Sequence, residues 1–167
     1  MVSTVEDPHA ETTVVSLVPA DTRVYPVGRL DADSEGLIIL TNDGDLTAAI
    51  THPRHGVTKT YVARVNGSPG SGALAQLMDG IALDDGTARA VSARVVDRYA
   101  GESMVELVMR EGRKREVRRM LASVGHEVTR LVRVAIGPIQ DHSLKPGEWR
   151  HLTVEEVRNL YRSAGMG

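Results

Sequence analysis

Apolar positions along the chain fall into short runs separated by turn signals, and the spacing inside each run names the element it predicts. Val24 to Leu30, interrupted by Pro26 and Gly28, suits a strand running into a loop. "GLIILT", Gly36 to Thr41, carries consecutive aliphatic residues closed by Asn42-Asp43-Gly44, as a strand covered on both faces followed by a turn does. "DLTAAITH" predicts a short helix that Pro53 stops. "KTYVARV", Lys59 to Val65, alternates as a half-buried strand, and "NGSPGSG" after it reads as a loop. "GALAQLMDGI" predicts a helix ended by Gly80. Arg89 to Tyr99 and Ser103 to Arg110 are β-branched and alternating, which predicts two further strands. Lys114 to Ser123 reads as a helix with Gly125 as its stop, and Val128 to Ile136 as a strand. Thr153 and Glu156 are spaced as a capping box, which starts a terminal helix over Val154 to Arg162.

Strands in adjacent runs with helices between some of them predict an α+β fold on a mixed sheet, not a doubly wound parallel one. At 167 residues the chain suits one domain, or two small subdomains, with enough apolar surface to fold unaided. It has no Cys, which excludes disulfides, thiolate catalysis and Cys-based zinc sites. The opening "MVSTVEDPHAET" lacks the basic and apolar regions of a signal peptide, and no apolar run approaches the roughly 20 residues of a spanning helix. A soluble, cytoplasmic protein is the expectation.

The formal charge of −2 argues by itself against nucleic-acid binding, because phosphate contact needs local excess of Lys and Arg. The average conceals a segregation. "REGRKREVRR", Arg110 to Arg119, holds six basic and two acidic residues, whereas charges in the first 50 residues are mostly acidic. One face can therefore be positive. Five aromatic residues are too few for a base-stacking platform, so any single tyrosine near a base gains weight.

Candidate chemistry concentrates in "GRLDADSEGLIILTNDGD", Gly28 to Asp45. Asp31, Asp33, Glu35 and Gly36 copy the start of a calcium loop, but the position that needs a bidentate Glu is Asn42 and the flanks are not helical. A phosphate loop needs more glycine and a Lys. Asp33 and Glu35 read as a solvated turn. Asp31 differs: it lies close to Arg29, after one strand and before a rigid aliphatic one, where a carboxylate kept ionised by a cation can act as an attacking group. From the residues alone, turn and nucleophile both stay open.

The stretch "GRLDADSEGLIILTNDG" resembles the catalytic motif of the RNA pseudouridine synthases, in the RsuA/RluB-like branch that modifies ribosomal RNA. The likeness continues in order through "KTYVARV", "EGRKREVRRM" and "LKPGEWRHLTVEEV", so it covers nearly the whole chain. It implies a pseudouridine-synthase-like core, a mixed, mostly antiparallel bent sheet flanked by helices, acting as a monomer on ribosomal RNA or a pre-ribosomal particle, with large-subunit (23S) RNA favoured. It implies Asp31 as the nucleophile, attacking C1′ of the sugar or C6 of the base. Tyr61 is implied to stack on the base and share in proton transfer; Arg118 is implied to pair with the aspartate. Arg29, Leu30 and Leu131 would shape the substrate pocket. Lys59, Arg113, Lys114, Arg115, Arg119, Arg130 and Arg133, with Arg29, would meet phosphates. Isomerisation needs no redox partner, nucleotide or metal, so no cofactor is expected.

Members of the branch usually carry an N-terminal S4 module and a Lys-Pro motif. "VSTVEDPHAETTVVSLVP" is similar to sequence just downstream of that motif, so residues 1–167 read as a catalytic-domain fragment or a shortened chain without the S4 module. The family often has Gln where this chain has Glu116, which would set a negative charge beside the RNA-facing cations. The alternative function is a non-catalytic RNA-binding or ribosome-assembly domain of the same fold; the presence of Asp31, Tyr61 and Arg118 together argues against it.

Overall fold

A computed structural model describes residues 2–4, 14–19 and 23–166. Residues 5–13, half of the stretch similar to sequence downstream of the Lys-Pro motif, lie outside the described residues. In chain order the elements are β1 (Val2–Thr4), a 3₁₀ turn (Val14–Leu17), β2 (Tyr25–Val27), β3 (Glu35–Thr41), α1 (Gly44–Thr51), a second 3₁₀ turn (Pro53–His55) and β4 (Lys59–Asn66). There follow α2 (Ser71–Asp79), β5 (Ile81–Leu83), β6 (Gly86–Ala88), β7 (Ser92–Tyr99), β8 (Glu102–Met109), α3 (Glu116–Ser123), β9 (Val128–Ile136), β10 (Trp149–Arg150) and α4 (Val154–Ser163). The fold is α+β with strands paired mostly antiparallel. The chain forms two compact units, one of residues 1–57 and 133–167, the other of residues 58–132.

The first unit is organised on β3, which pairs antiparallel with β1 and with β2. Gly36 to Leu40 are all buried, as the unbroken aliphatic run requires of a strand covered on both faces. Successive side chains point oppositely. Leu37 and Ile39 pack with Leu46 and Ile50 of α1, Ile136, Ile139 and Leu160 of α4, whereas Leu40 joins Val18, Val24 and Trp149. Each such aliphatic side chain contributes on the order of 1.5–3 kcal/mol by leaving water. Asp43 caps α1, accepting from the amides of Asp45 and Leu46, and its other carboxylate oxygen accepts from the Tyr161 hydroxyl of α4 at 2.8 Å. That hydroxyl's proton is held by burial and by the Asp43 carboxylate, which push the phenol up to about 12.

The second unit is an antiparallel sheet in the spatial order β4-β8-β7, accompanied by two helices and the β5–β6 hairpin. β8 pairs antiparallel with β4 on one side and β7 on the other. Its residues alternate between half-buried and buried, with Ser103, Val105, Leu107 and Met109 inward. They meet Ala63 and Val65 of β4, Leu77 of α2, and Val117, Met120 and Leu121 of α3 in a single core. On α3 those apolar residues recur at one-turn spacing, so the helix presents one stripe to the core and its arginines elsewhere. Gly80 and Gly125 follow α2 and α3 with φ of +134° and +89°, where glycine alone is unstrained, and both helices stop there as expected.

Candidate active site

Asp31 lies in the first unit, at the start of a tight turn in which the Ser34 amide donates to the Asp31 carbonyl oxygen at 2.9 Å. Asp favours the first position of such turns. Ala32 and Asp33 form the exposed tip, and Ser34 is buried where the chain enters β3. The Asp31 side chain is half-buried, as is Leu30, whereas Arg29 is exposed. The acidic residues of the motif thus divide by place: Asp31 heads the turn, Asp33 is exposed at its tip, and Asp43 caps a helix. The last is a structural role that the Asn42-Asp43-Gly44 turn signal concealed, although Asp just ahead of an apolar helical run is itself a cap signature.

β3 is held close to its neighbour at Gly36. Its φ is +122°, and a Cβ there would collide with the carbonyl oxygen and amide nitrogen of Arg133. The Arg133 side chain turns inward, 5% exposed, with Nε donating to the Leu37 carbonyl oxygen at 2.9 Å. The expectation that Arg133 meets phosphate is therefore corrected: a buried guanidinium bonded to the Leu37 carbonyl is not offered to RNA.

Tyr61 lies in the second unit on β4, opposite Leu107 of β8. Directly opposed residues share a face, so its half-buried ring packs against the same core that contains Leu131. Both pocket expectations for this unit thus fall on one apolar surface. Arg118 is half-buried on α3, with Nε covered.

The basic segment divides into cations used internally and cations turned out. Arg113 donates through Nε to Glu116 at 2.8 Å, through Nη1 to the Asp85 carboxylate at 3.0 Å, and through Nη2 to the Thr87 carbonyl oxygen at 3.0 Å. It also lies 3.3 Å from Glu111. Arg119 forks onto both Asp85 oxygens at 2.9 and 3.0 Å. The Arg119 hydrogen bond leads the effects that lower the Asp85 pKa. Two of the expected phosphate contacts, Arg113 and Arg119, instead tie the β5–β6 hairpin to α3 through the sequence-distant Asp85, with Glu111 and Glu116 nearby also on Arg113. Lys114 and Arg130 are exposed, and Lys59 and Arg115 are half-buried. Arg115 holds a left-handed backbone, φ +54°, at the start of α3, a conformation that costs a non-glycine residue roughly 1–2 kcal/mol.

Glu116 does not set a charge among the outward cations. It is 3% exposed, and its Oε1 is covered with no donor on it. Burial foremost, then the neighbouring Glu111 carboxyl, push its pKa up to about 7 against the pull of Arg113. The raised value favours the protonated carboxyl below about pH 7, with Oε2 accepting from Arg113. In that form Glu116 has the hydrogen-bonding pattern of a glutamine.

A family model described as RNA pseudouridylate synthase matches residues 3–123, and the chain belongs to that family. An uncharacterized RNA pseudouridine synthase of Aquifex aeolicus is 46% identical over 145 residues, which cover 86% of this chain and 58% of the relative. The chain therefore spans less than two thirds of that relative's length. The ribosomal large subunit pseudouridine synthase E of Xanthomonas campestris is 43% identical over 151 residues, covering 81% of each chain. Among solved structures, a pseudouridylate synthase superposes with a TM-score of 0.83 at 29% identity, over 95% of this chain and 72% of the other. Among the described residues no helix is long and apolar enough to cross a membrane.

Proposed function

We propose that the chain isomerises a uridine of ribosomal RNA to pseudouridine, with Asp31 as nucleophile and large-subunit RNA as substrate. The observation that carries the reading is a half-buried aspartate heading a tight turn before a fully covered strand, inside a chain of this family. The large-subunit assignment rests on the printed function of the Xanthomonas relative. The uridine must leave its stack to be reached, at a cost of a few kcal/mol, which favours loops and bulges. The Asp31 carboxylate attacks C1′ of the sugar or C6 of the base, the N1–C1′ bond breaks, the base turns, C5 bonds to C1′ as the bond to Asp31 is released, and the proton lost from C5 is matched by one taken up at N1. Tyr61 stacks on the base and Arg118 supplies the fixed positive charge that keeps the nucleophile ionised. Arg29, Leu30 and Leu131 shape the pocket, and Lys59, Lys114, Arg115 and Arg130 meet phosphates. The whole protein acts as a monomer in the cytoplasm on ribosomal RNA or a pre-ribosomal particle.

Mapping pseudouridine in ribosomal RNA from cells with and without the gene tests activity and target together. In vitro, Asp31→Asn should abolish tritium release from C5-labelled uridine RNA while leaving melting temperature and RNA affinity close to wild type, because amide and carboxylate match in size. Tritium release near the wild-type rate would remove Asp31 from the mechanism.

A further inference from the structure

Arg133 is the most deeply buried arginine among the described residues, and its bonds converge on the turn that carries Asp31. Nε donates to the Leu37 carbonyl oxygen at 2.9 Å, and Nη1 reaches the Arg29 carbonyl oxygen at 3.4 Å. Those two carbonyls stand on either side of Asp31 in sequence, one before the Asp31–Ser34 turn and one just inside β3. Nη2 is covered and bonded to no described residue. A buried guanidinium held mainly by neutral carbonyls is an expensive way to fill a core position. Well-packed aliphatic residues in place of buried charges are often as stable or more so. A planar fork can, however, hold two backbone groups at a fixed separation, which neither an aliphatic side chain nor a lysine does. Its backbone is equally committed, since Gly36 must lack a Cβ for the Arg133 main chain to approach.

We propose that Arg133 is a positioning residue for the isomerisation: it clasps the chain on both sides of Asp31 and so fixes where the carboxylate sits before RNA arrives. This rests on the reading of Asp31 as nucleophile. Arg133 touches neither the reacting atoms nor phosphate in this role. It acts on the rate of the chemical step and not on affinity, because a nucleophile displaced by about 1 Å can lose roughly 100-fold in rate.

The test uses the full chain as wild type, Arg133→Lys and Arg133→Met, well below each melting temperature, with two readouts. Amide hydrogen exchange should quicken in peptides covering residues 28–36 in both variants, more in the methionine one, while peptides from β4 and β8 keep their wild-type rates. Single-turnover tritium release should fall roughly 100-fold for methionine and less for lysine, with RNA Kd within about twofold of wild type. Unchanged exchange over residues 28–36 in both variants overturns the proposal. So does uniformly faster exchange with a rate loss that matches the unfolded fraction, since that is destabilisation alone. Should methionine prevent folding, the lysine variant carries both readouts. If wild type releases no tritium from ribosomal RNA yet exchange changes locally as stated, the proposed function fails and the clasp stands.

Discussion

Glu116 shows how far a single side chain can depart from what its letter suggests. An acidic residue in a basic run reads as a charge among charges, but on α3 it is a covered group that keeps its proton to about pH 7. In the unfolded chain the same carboxyl ionises near 4.5. Between those values the unfolded state binds fewer protons, so stability falls as pH rises from about 4.5 to about 7, the penalty reaching on the order of 2–3 kcal/mol above that range. Glu116→Gln keeps the hydrogen bonds of the protonated form and removes the titration. It should melt within about 1 °C of wild type at pH 4.5 and clearly higher at pH 8, the gap opening through the interval between. Thermal melts at half-unit pH steps check this; a gap constant with pH would mean that Glu116 is ionised throughout.

At the scale of elements, long patterned segments were legible and short ones were not. β9 falls on Val128–Ile136 as the sequence spacing predicts, and the Thr153–Glu156 capping box starts α4, because periodicity and capping are local signals. β1, β10 and the β5–β6 hairpin have only two or three residues per strand, too few to show a period, and exist by pairing with partners remote in sequence. The strand expected from Arg89 starts at Ser92. Candidate residues divide similarly: the Asp31 loop and the face of Tyr61 follow from local pattern, but the directions of Arg113, Arg119 and Arg133 depend on Asp85 and Leu37, whose nearness only folding creates. Arg150 in β10 is a further product of assembly, pairing with Asp141 at 2.6 Å and forking onto Glu156 at 2.8 Å. The Ser143 hydroxyl and Arg150 hold Asp141 well below the usual carboxylate range, and Arg150 foremost lowers Glu156 to about 2. Both carboxylates are depressed, so their contribution is present above about pH 4.5 and is lost as pH falls toward 2. Arg150→Met should cost roughly 1–3 kcal/mol at pH 7 and less at pH 2.5, where the Glu156 part is mostly lost while the lower-titrating Asp141 keeps its share. Urea titrations at pH 7, 4 and 2.5 measure it; an equal cost at all three would assign the loss to packing.

For the molecule as a whole, the proposed function asks how a chain of net charge −2 would engage a polyanion. Local excess decides it, and the bonds within the second unit narrow which cations supply that excess. Arg113 and Arg119 are tied to Asp85, and Arg113 also to Glu111 and Glu116, whereas Lys114 just before α3 and Arg130 on β9 are exposed. Counterion release counts phosphate contacts, with a slope of log affinity against log salt of about −0.7 per contact for single strands. Reversing Lys114 and Arg130 together to glutamate should therefore weaken RNA binding and flatten that slope by about 1–2, with little change in melting temperature. Arg113→Glu should do the opposite: a carboxylate in place of the guanidinium beside Asp85 and Glu111 destabilises the hairpin and α3, so melting temperature drops while the salt slope of the protein that remains folded stays near wild type. Binding titrations from 50 to 300 mM salt, paired with melts of the same preparations, separate the two behaviours. An unchanged slope in the Lys114 and Arg130 double variant would place the RNA-facing surface elsewhere on the molecule.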